Sequence, residues 1–415
     1  MGWSFKFLLI FKLIILTDRI CFFTRHFKRH EFRYNDDMKI EQSVSLKEKI
    51  TLLSKTQTFN IAMANQMIDF VLSNPPLIKK TGLVDKMQKN SLSELDAYQS
   101  LLLTQWLKDP VLKKHPDLLS LSVKPFLYSL DRAQYISNPF YQQIKPKPVT
   151  KGKWQLRYET YSPFQAVLTG DVNTNPIHHY LDSTPVGYFT DPFYYLVIKQ
   201  QDVTWMSVTP FEINTMAPIL EKVKGNIITL GLGLGYFASM AALKLEVNEV
   251  LVIEKDQQVI DIFLKHIYPQ LPNKEKIKII HEDAFHFLKT NNRRFDHLFV
   301  DIHHTAEDGL PIYIRIKQFE KLSSSGQWHY WLESSIISLF RRYMIIFLQE
   351  QLLSFDESKY QSPTTLEDYL YHGLFKVNQD IIISSLIDLE RWLSNANIQS
   401  ILTVIQLPDG IKESR

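Results

Sequence analysis

The chain has 415 residues, 45% hydrophobic and 22% charged, which excludes a disordered polymer and supplies core for two or three structural units. Lys and Arg total 47 against 44 Asp and Glu, a net charge of +3, with none of the basic excess that a nucleic-acid-binding face requires. A single cysteine excludes an internal disulfide framework and a cysteine-based zinc site, and a total of only 13 glycines makes any cluster of them informative.

Residues 1–37 stand apart from the rest. They hold seven basic and four acidic residues, so the whole net charge lies here, together with the one cysteine, Cys21. The apolar run Phe5–Leu16 is interrupted by Lys6 and Lys12 and falls short of the ~20 apolar residues that span a bilayer. No small-residue cleavage site follows, as a signal peptide requires. The segment reads either as a membrane-surface helix, with cations beside Trp, Phe and Leu, or as upstream sequence translated in error ahead of an ordinary helical start at Met38. The remainder has no run suited to spanning a bilayer, so a cytoplasmic location is expected.

Residues 38–150 read as a helical N-terminal domain. Ser45 opens an apolar run in which Ile61, Met67, Ile68, Phe70, Val71 and Leu72 recur at helical spacing, and Asn74-Pro75-Pro76 stops it. Leu101, Leu102, Leu103, Trp106 and Leu107 form a second stripe, closed by Asp109-Pro110. A Pro- and Lys-bearing linker over 137–152 leads into a small β-rich segment. There Trp154–Tyr161 alternates apolar and polar residues, Val167-Leu168 runs into a turn, and 187–189 and Tyr194–Ile198 suggest further strands. Glu212–Val223 then reads as a helix. His178-His179 lacks any spaced carboxylate set and reads as surface, so no metal is expected.

The strongest signal begins at Asn226. Ile227–Leu230 has the pattern of a buried strand; Gly231, Gly233 and Gly235 follow within five residues; Ala238–Leu245 reads as a helix. Strand, glycine turn and helix make the first βα unit of a nucleotide-binding fold, in which missing Cβ atoms let backbone approach a ligand. Val250–Glu254 is a second strand, ending in an acid 19 residues after Gly235. A third, from Ile277, ends in Asp283-Ala284, 29 residues after Glu254, and a fourth, from Phe295, ends in Asp301, 18 residues later. In a parallel sheet these ends share one edge, where ligands bind.

This stretch, about 225–335, resembles the class I S-adenosylmethionine-dependent methyltransferases and the spermidine synthases that share their fold. The resemblance implies that Gly231, Gly233 and Gly235 pass under S-adenosylmethionine, that Glu254 holds the ribose hydroxyls, that Asp283 and Ala284 meet the adenine, and that Asp301 faces the methionine part or the transferred group. Glu212 is a further cofactor-edge candidate. A dinucleotide site competes, since Gly233–Ala238 satisfies G-x-G-x-x-A. Methyl transfer to a small-molecule or peptide acceptor is the expected activity, with Asp301 and His303 as catalytic candidates and His304 as another candidate base. Spermidine synthase-like aminopropyl transfer is the alternative: the loop lacks the acid those enzymes carry there, but Glu307 and Asp308 follow the fourth strand. A non-catalytic nucleotide-binding scaffold is a third reading.

The expected architecture is α/β: a Rossmann-like doubly wound, mostly parallel sheet with a β lead-in over 151–345, an N-terminal helical domain, and a C-terminal helical extension over 346–415. In the last part, Ile316–Leu322, Arg341–Leu353 and Leu386–Leu393 read as helices, while Trp328–Glu333 and Ile401–Leu407 read as strands. Trp328 and Trp331 are candidates to stack on an aromatic acceptor, with core packing as the default.

Overall fold

A computed structural model describes residues 38–408 apart from 42, 73–76, 108, 202, 324–325, 353–364 and 379–380, and the side chains of 68–72 are outside the description. Both readings of residues 1–37 therefore lie outside the described residues.

The centre is a five-stranded sheet built from Gly225–Leu230, Val247–Glu254, Ile277–His281, His297–Val300 and Gln327–Tyr330. Numbered along the chain, these lie in the order 3-2-1-4-5, and every neighbouring pair is parallel. Such a sheet must be covered on both faces, and the strand sequences show it. Ile228, Leu230, Leu251, Ile253, Leu298 and Val300 point into one core, with Ile336, Phe340, Met344 and Leu348 of the helix Glu333–Leu352. Their alternates Ile227, Val250, Val252 and Phe299 point into the other, with Phe237, Ala238, Ala241, Val259 and Phe263. Helices on both faces of a parallel sheet bear out the α/β expectation.

In the β lead-in, Val167-Leu168 and Val186–Tyr188 pair in a separate small sheet with Leu127–Ser129, while the largest sheet is four-stranded and antiparallel, Val203–Ser207, Phe193–Gln200, Trp154–Tyr161 and Val149–Lys151 in spatial order. Its Trp154, Leu156, Leu196 and Ile198 join the second core, so the lead-in packs directly against the parallel sheet's helices. Helix Pro210–Lys222 connects the two sheets and brings Glu212 to its first turn.

The two ends of the described chain meet. Lys39-Ile40 pairs in parallel with Ile382-Ile383, and Leu46, Ile50 and Leu53 of helix Val44–Leu72 share the first core with Leu389, Trp392 and Leu402. The expected boundary between 345 and 346 falls inside helix Glu333–Leu352. Ile401–Leu407 is not a strand. Ser394 caps a helix over Asn395–Leu402 by accepting from Asn397 N–H, and Ile398, Ile401 and Leu402 are buried along it. An apolar run of this length fits either element, and the cap decides for the helix.

A buried polar clamp holds this end of the molecule. Arg341 is 2% exposed; its Nε donates to the Leu393 carbonyl at 3.0 Å, its Nη2 to Asn395 Oδ1, and its guanidinium lies 4.8 Å from the Tyr180 ring centre. Beside it Asp182 accepts from Ser338 Oγ at 2.6 Å, Thr174 Oγ1 at 2.7 Å and Arg342 Nη2 at 3.0 Å. Arg341→Ala leaves buried acceptors without donors and is expected to cost about 2–4 kcal/mol of unfolding free energy, read as a lower urea midpoint at unchanged slope.

Candidate functional site

The strand ends that the sequence aligned do converge. Gly231 N–H donates to Ile253 O at 2.8 Å, Asp301 N–H to Leu230 O at 2.9 Å, and Glu282 N–H to Glu254 O at 3.0 Å. These bonds continue the sheet register past its last residues and place Gly231, Glu254 and Asp301 side by side.

The three loop glycines have a different reason to be glycine than ligand approach alone. All have positive φ: 99°, 50° and 70° for Gly231, Gly233 and Gly235. A Cβ on Gly231 would lie 2.0 Å from Asp301 O, one on Gly233 1.9 Å from Met206 Sδ, and one on Gly235 2.1 Å from the Phe263 ring. The loop is closely packed against its own chain, so a side chain at any of the three is excluded both by backbone conformation and by space.

Glu254 organises this loop. One carboxylate oxygen accepts from Leu232 N–H at 3.0 Å and the other from Asp256 N–H at 2.8 Å. Burial raises its pKa, and these amides pull against that rise. A carboxylate has about four acceptor positions, so both oxygens retain capacity for a vicinal diol. Asp283 is the exposed N-cap of helix Ala284–Thr290: its Oδ1 accepts from Phe285 N–H at 2.9 Å and His286 N–H at 3.0 Å, while Ala284 behind it is buried.

Asp301 and Glu212 are unlike ordinary strand-end and helix-end acids. Burial pushes Asp301 up from its ordinary value of 3.8 to about 7, with the nearby Glu254 charge adding to the rise. Burial likewise pushes Glu212, 8% exposed, well above the usual carboxylate range, and Asp301 adds to it. Among the described residues no Lys or Arg forms a salt bridge with Glu212, Glu254 or Asp301. Around Glu212 stand Tyr161 and Tyr236, both held protonated by burial and by its charge. Glu212 is buried and Glu254 and Asp301 are half-buried, and among the described residues aromatic rings, not basic side chains, stand beside Glu212.

The loop after the fourth strand divides its residues. His303 is 5% exposed, its ring 5.5 Å from that of Trp331, and neither ring nitrogen forms a hydrogen bond of standard geometry. Burial lowers its pKa to about 4, opposed by the Asp308 charge, so the imidazole is neutral at pH 7. Gly309 makes room for it: a Cβ there would meet the ring at 2.8 Å. His304 instead packs edge-on against Trp205 at 4.2 Å. Asp308 belongs to a capping box with Thr305 that starts helix Ala306–Leu322. The Glu307/Asp308 pair is thus a helix start, and the acid that accompanies Asp301 is Glu212.

The two tryptophans separate as well. Trp328 packs against Phe295 within the sheet, centres 5.8 Å apart. Trp331 follows the last strand at a turn where Leu332 has φ of 53°, a costly conformation for a large residue and a mark of a positioned neighbour. Trp331 Nε1 donates to Thr215 Oγ1 at 3.0 Å, and its ring meets Phe211 and His303. Met206, Trp205, Phe211 and Tyr161 were not singled out by sequence, because single residues of the lead-in carry no spacing signal. His178 lies exposed between two short strands, away from this set.

Residues 226–314 match the Spermine/spermidine synthase domain. No curated protein matches the chain. Among solved structures, spermidine synthase from Thermotoga maritima overlaps 35% of this chain and 55% of its own length, at 13% identity and a TM-score of 0.29. A putative RNA methyltransferase from Pyrococcus horikoshii overlaps 21% of this chain and 40% of its own, at 25% identity and 0.17. A putative O-methyltransferase from Klebsiella pneumoniae overlaps 24% and 46%, at 18% identity and 0.19. The chain therefore covers about half the length of the solved spermidine synthase and less than half of either methyltransferase.

The raised Asp301 carboxyl has a consequence for stability. Its folded pKa lies above its unfolded one, so its contribution is fully present below pH 3.8 and is lost as pH rises through about 7. Asp301→Asn removes that loss. The variant is expected to be more stable than the wild type by on the order of 2–4 kcal/mol at pH 8, with the gap closing as pH falls toward 4. Thermal melts at pH 5 and pH 8 check this.

Proposed function

We propose that this chain transfers an alkyl group from an S-adenosyl sulfonium donor to a nucleophilic acceptor, and that the group is methyl from S-adenosylmethionine. The observation that carries the reading is the juxtaposition of Glu254, Asp301 and Glu212 beside the glycine loop, with no basic partner among the described residues. The ordered strand-end acids, and the Glu254 carboxylate with acceptor capacity left over, fit an adenosine with a cationic substituent. A nicotinamide dinucleotide would bring two phosphates to the same acid-rich edge, which disfavours it.

When bound, the donor supplies an alkyl group already activated by its positive sulfur. The protein's own part is alignment and proton handling. Glu254 holds the donor end through its free acceptor positions. Asp301 and Glu212 face the donor's positive charge, which favours their ionised forms against the rise that burial imposes, and they fix the line along which the acceptor approaches. An acceptor that arrives protonated needs a base with a pKa near the working pH; Asp301, raised to about 7 in the free protein, meets this better than His303, lowered to about 4. His303, neutral and buried against Trp331 and Gly309, packs behind this wall of the site.

Aminopropyl transfer is the second reading. It is favoured by the match of 226–314 to the Spermine/spermidine synthase domain and by the Glu212–Asp301 pair, which suits an ammonium. Against it, the loop from Gly231 to Gly235 holds no acid, and Asp308 is engaged in a helix cap.

The two are separated by their by-products. The full chain, incubated with methyl-labelled S-adenosylmethionine and cell extract, is expected to form S-adenosylhomocysteine and one labelled acceptor. Formation of 5′-methylthioadenosine from the decarboxylated donor, with none of the first product, establishes aminopropyl transfer. Binding without either product supports a scaffold, and NADH binding in place of the sulfonium ends the proposal. Glu254→Gln is expected to weaken donor binding roughly 10- to 100-fold by calorimetry.

A further inference from the structure

The glycine loop leaves little backbone with which to bind an anion. Loop amides usually serve this purpose, and a donor with an amino-acid tail carries a carboxylate for them. Here four of the five N–H groups from Gly231 to Gly235 are committed within the chain. Gly231 donates to Ile253 O at 2.8 Å, Leu232 to Glu254 Oε2 at 3.0 Å, Leu234 to Met206 Sδ at 3.1 Å and Gly235 to Leu232 O at 2.7 Å. The fifth, Gly233, has the same sulfur against its Cα, where a Cβ would come within 1.9 Å.

Met206 is fixed there. It is 9% exposed and packs in one core with Leu232 and Leu234. It stands at a register shift between Thr204 and Met206, where the edge strand of the antiparallel sheet bulges against Phe193–Gln200. A bulge re-aims the side chains beside it. Trp205, its neighbour, is wedged between Trp154 at 5.3 Å and His304 at 4.2 Å. The lead-in thus delivers a thioether to the loop whose Leu232 amide is already held by the Glu254 carboxylate.

We infer that Met206 is a donor-specificity residue: its thioether takes the place of a donor carboxylate at the glycine loop, so that recognition is confined to the adenosine and the sulfur, and the amino-acid tail of the donor adds little affinity. This rests on the S-adenosyl reading of the site and concerns which parts of that donor are held.

Calorimetry on the full chain tests it with two neutral-sulfur probes, 5′-methylthioadenosine, which has no amino-acid tail, and S-adenosylhomocysteine, which has one. Wild-type protein is expected to bind them within about fivefold of each other. Met206→Ala frees the Leu234 amide and the space beside Gly233, and should tighten S-adenosylhomocysteine at least fivefold while changing 5′-methylthioadenosine less than twofold. Met206→Leu, which keeps the volume, should retain the wild-type ratio and serves where the alanine variant fails to fold. S-adenosylhomocysteine binding more than fivefold tighter than 5′-methylthioadenosine to the wild type overturns the inference and leaves the S-adenosyl reading standing. Binding of neither probe overturns that reading and the inference with it.

Discussion

The site depends on one carboxylate that serves its own backbone first. Glu254 accepts from Leu232 N–H with one oxygen and Asp256 N–H with the other, so the end of the second strand grips the loop leaving the first. Without that grip, two amides at the sheet edge would need other acceptors, and the loop would lose the conformation in which Gly231 lies against Asp301. The cost is electrostatic. Glu254 is half-buried and burial raises its pKa; Glu254 adds to the rise at Asp301, and Asp301 to the rise at Glu212. The structural bond at one end thus stands in line with two further acids whose pKa values burial raises.

The position of that row shows how the lead-in and the parallel sheet share one task. Strand ends supply Glu254 and Asp301; the helix joining the two sheets supplies Glu212; the antiparallel edge strand supplies Met206. None of these elements holds more than part of the site. Aromatic packing, from Trp154 through Trp205 to His304 and from Phe211 through Trp331 to His303, ties the parts together.

Much of this was legible in the sequence, for a definable reason. Parallel strands buried on both faces are continuous apolar runs, and a glycine or acid at each end marks where the run meets solvent, so Gly231, Glu254, Asp283 and Asp301 could be placed in register from spacing alone. Glu212 was reachable because it opens a helix just ahead of the first strand. What could not be read was the company these residues keep. Glu307 and Asp308 look like a ligand pair, yet Asp308 and Thr305 form a capping box whose local signature competes with the functional one. Ile401–Leu407 has the composition of a strand, and only the Ser394 cap turns its first part into helix. The glycines also make room for Met206, Phe263 and the Asp301 carbonyl, contacts across distances that no local pattern encodes.

The pairing of Lys39-Ile40 with Ile382-Ile383 bears on how the chain is made. The partners are 343 positions apart, and Leu46, Ile50 and Leu53 wait for Leu389, Trp392 and Leu402 to complete one core. The βα units close contacts of short sequence separation, whereas helix Val44–Leu72 completes its apolar contacts only when residues 389–402 are in place. Contacts of such long sequence separation form late, so the apolar face of that helix is covered last and is the surface most open to association with other chains in the meantime.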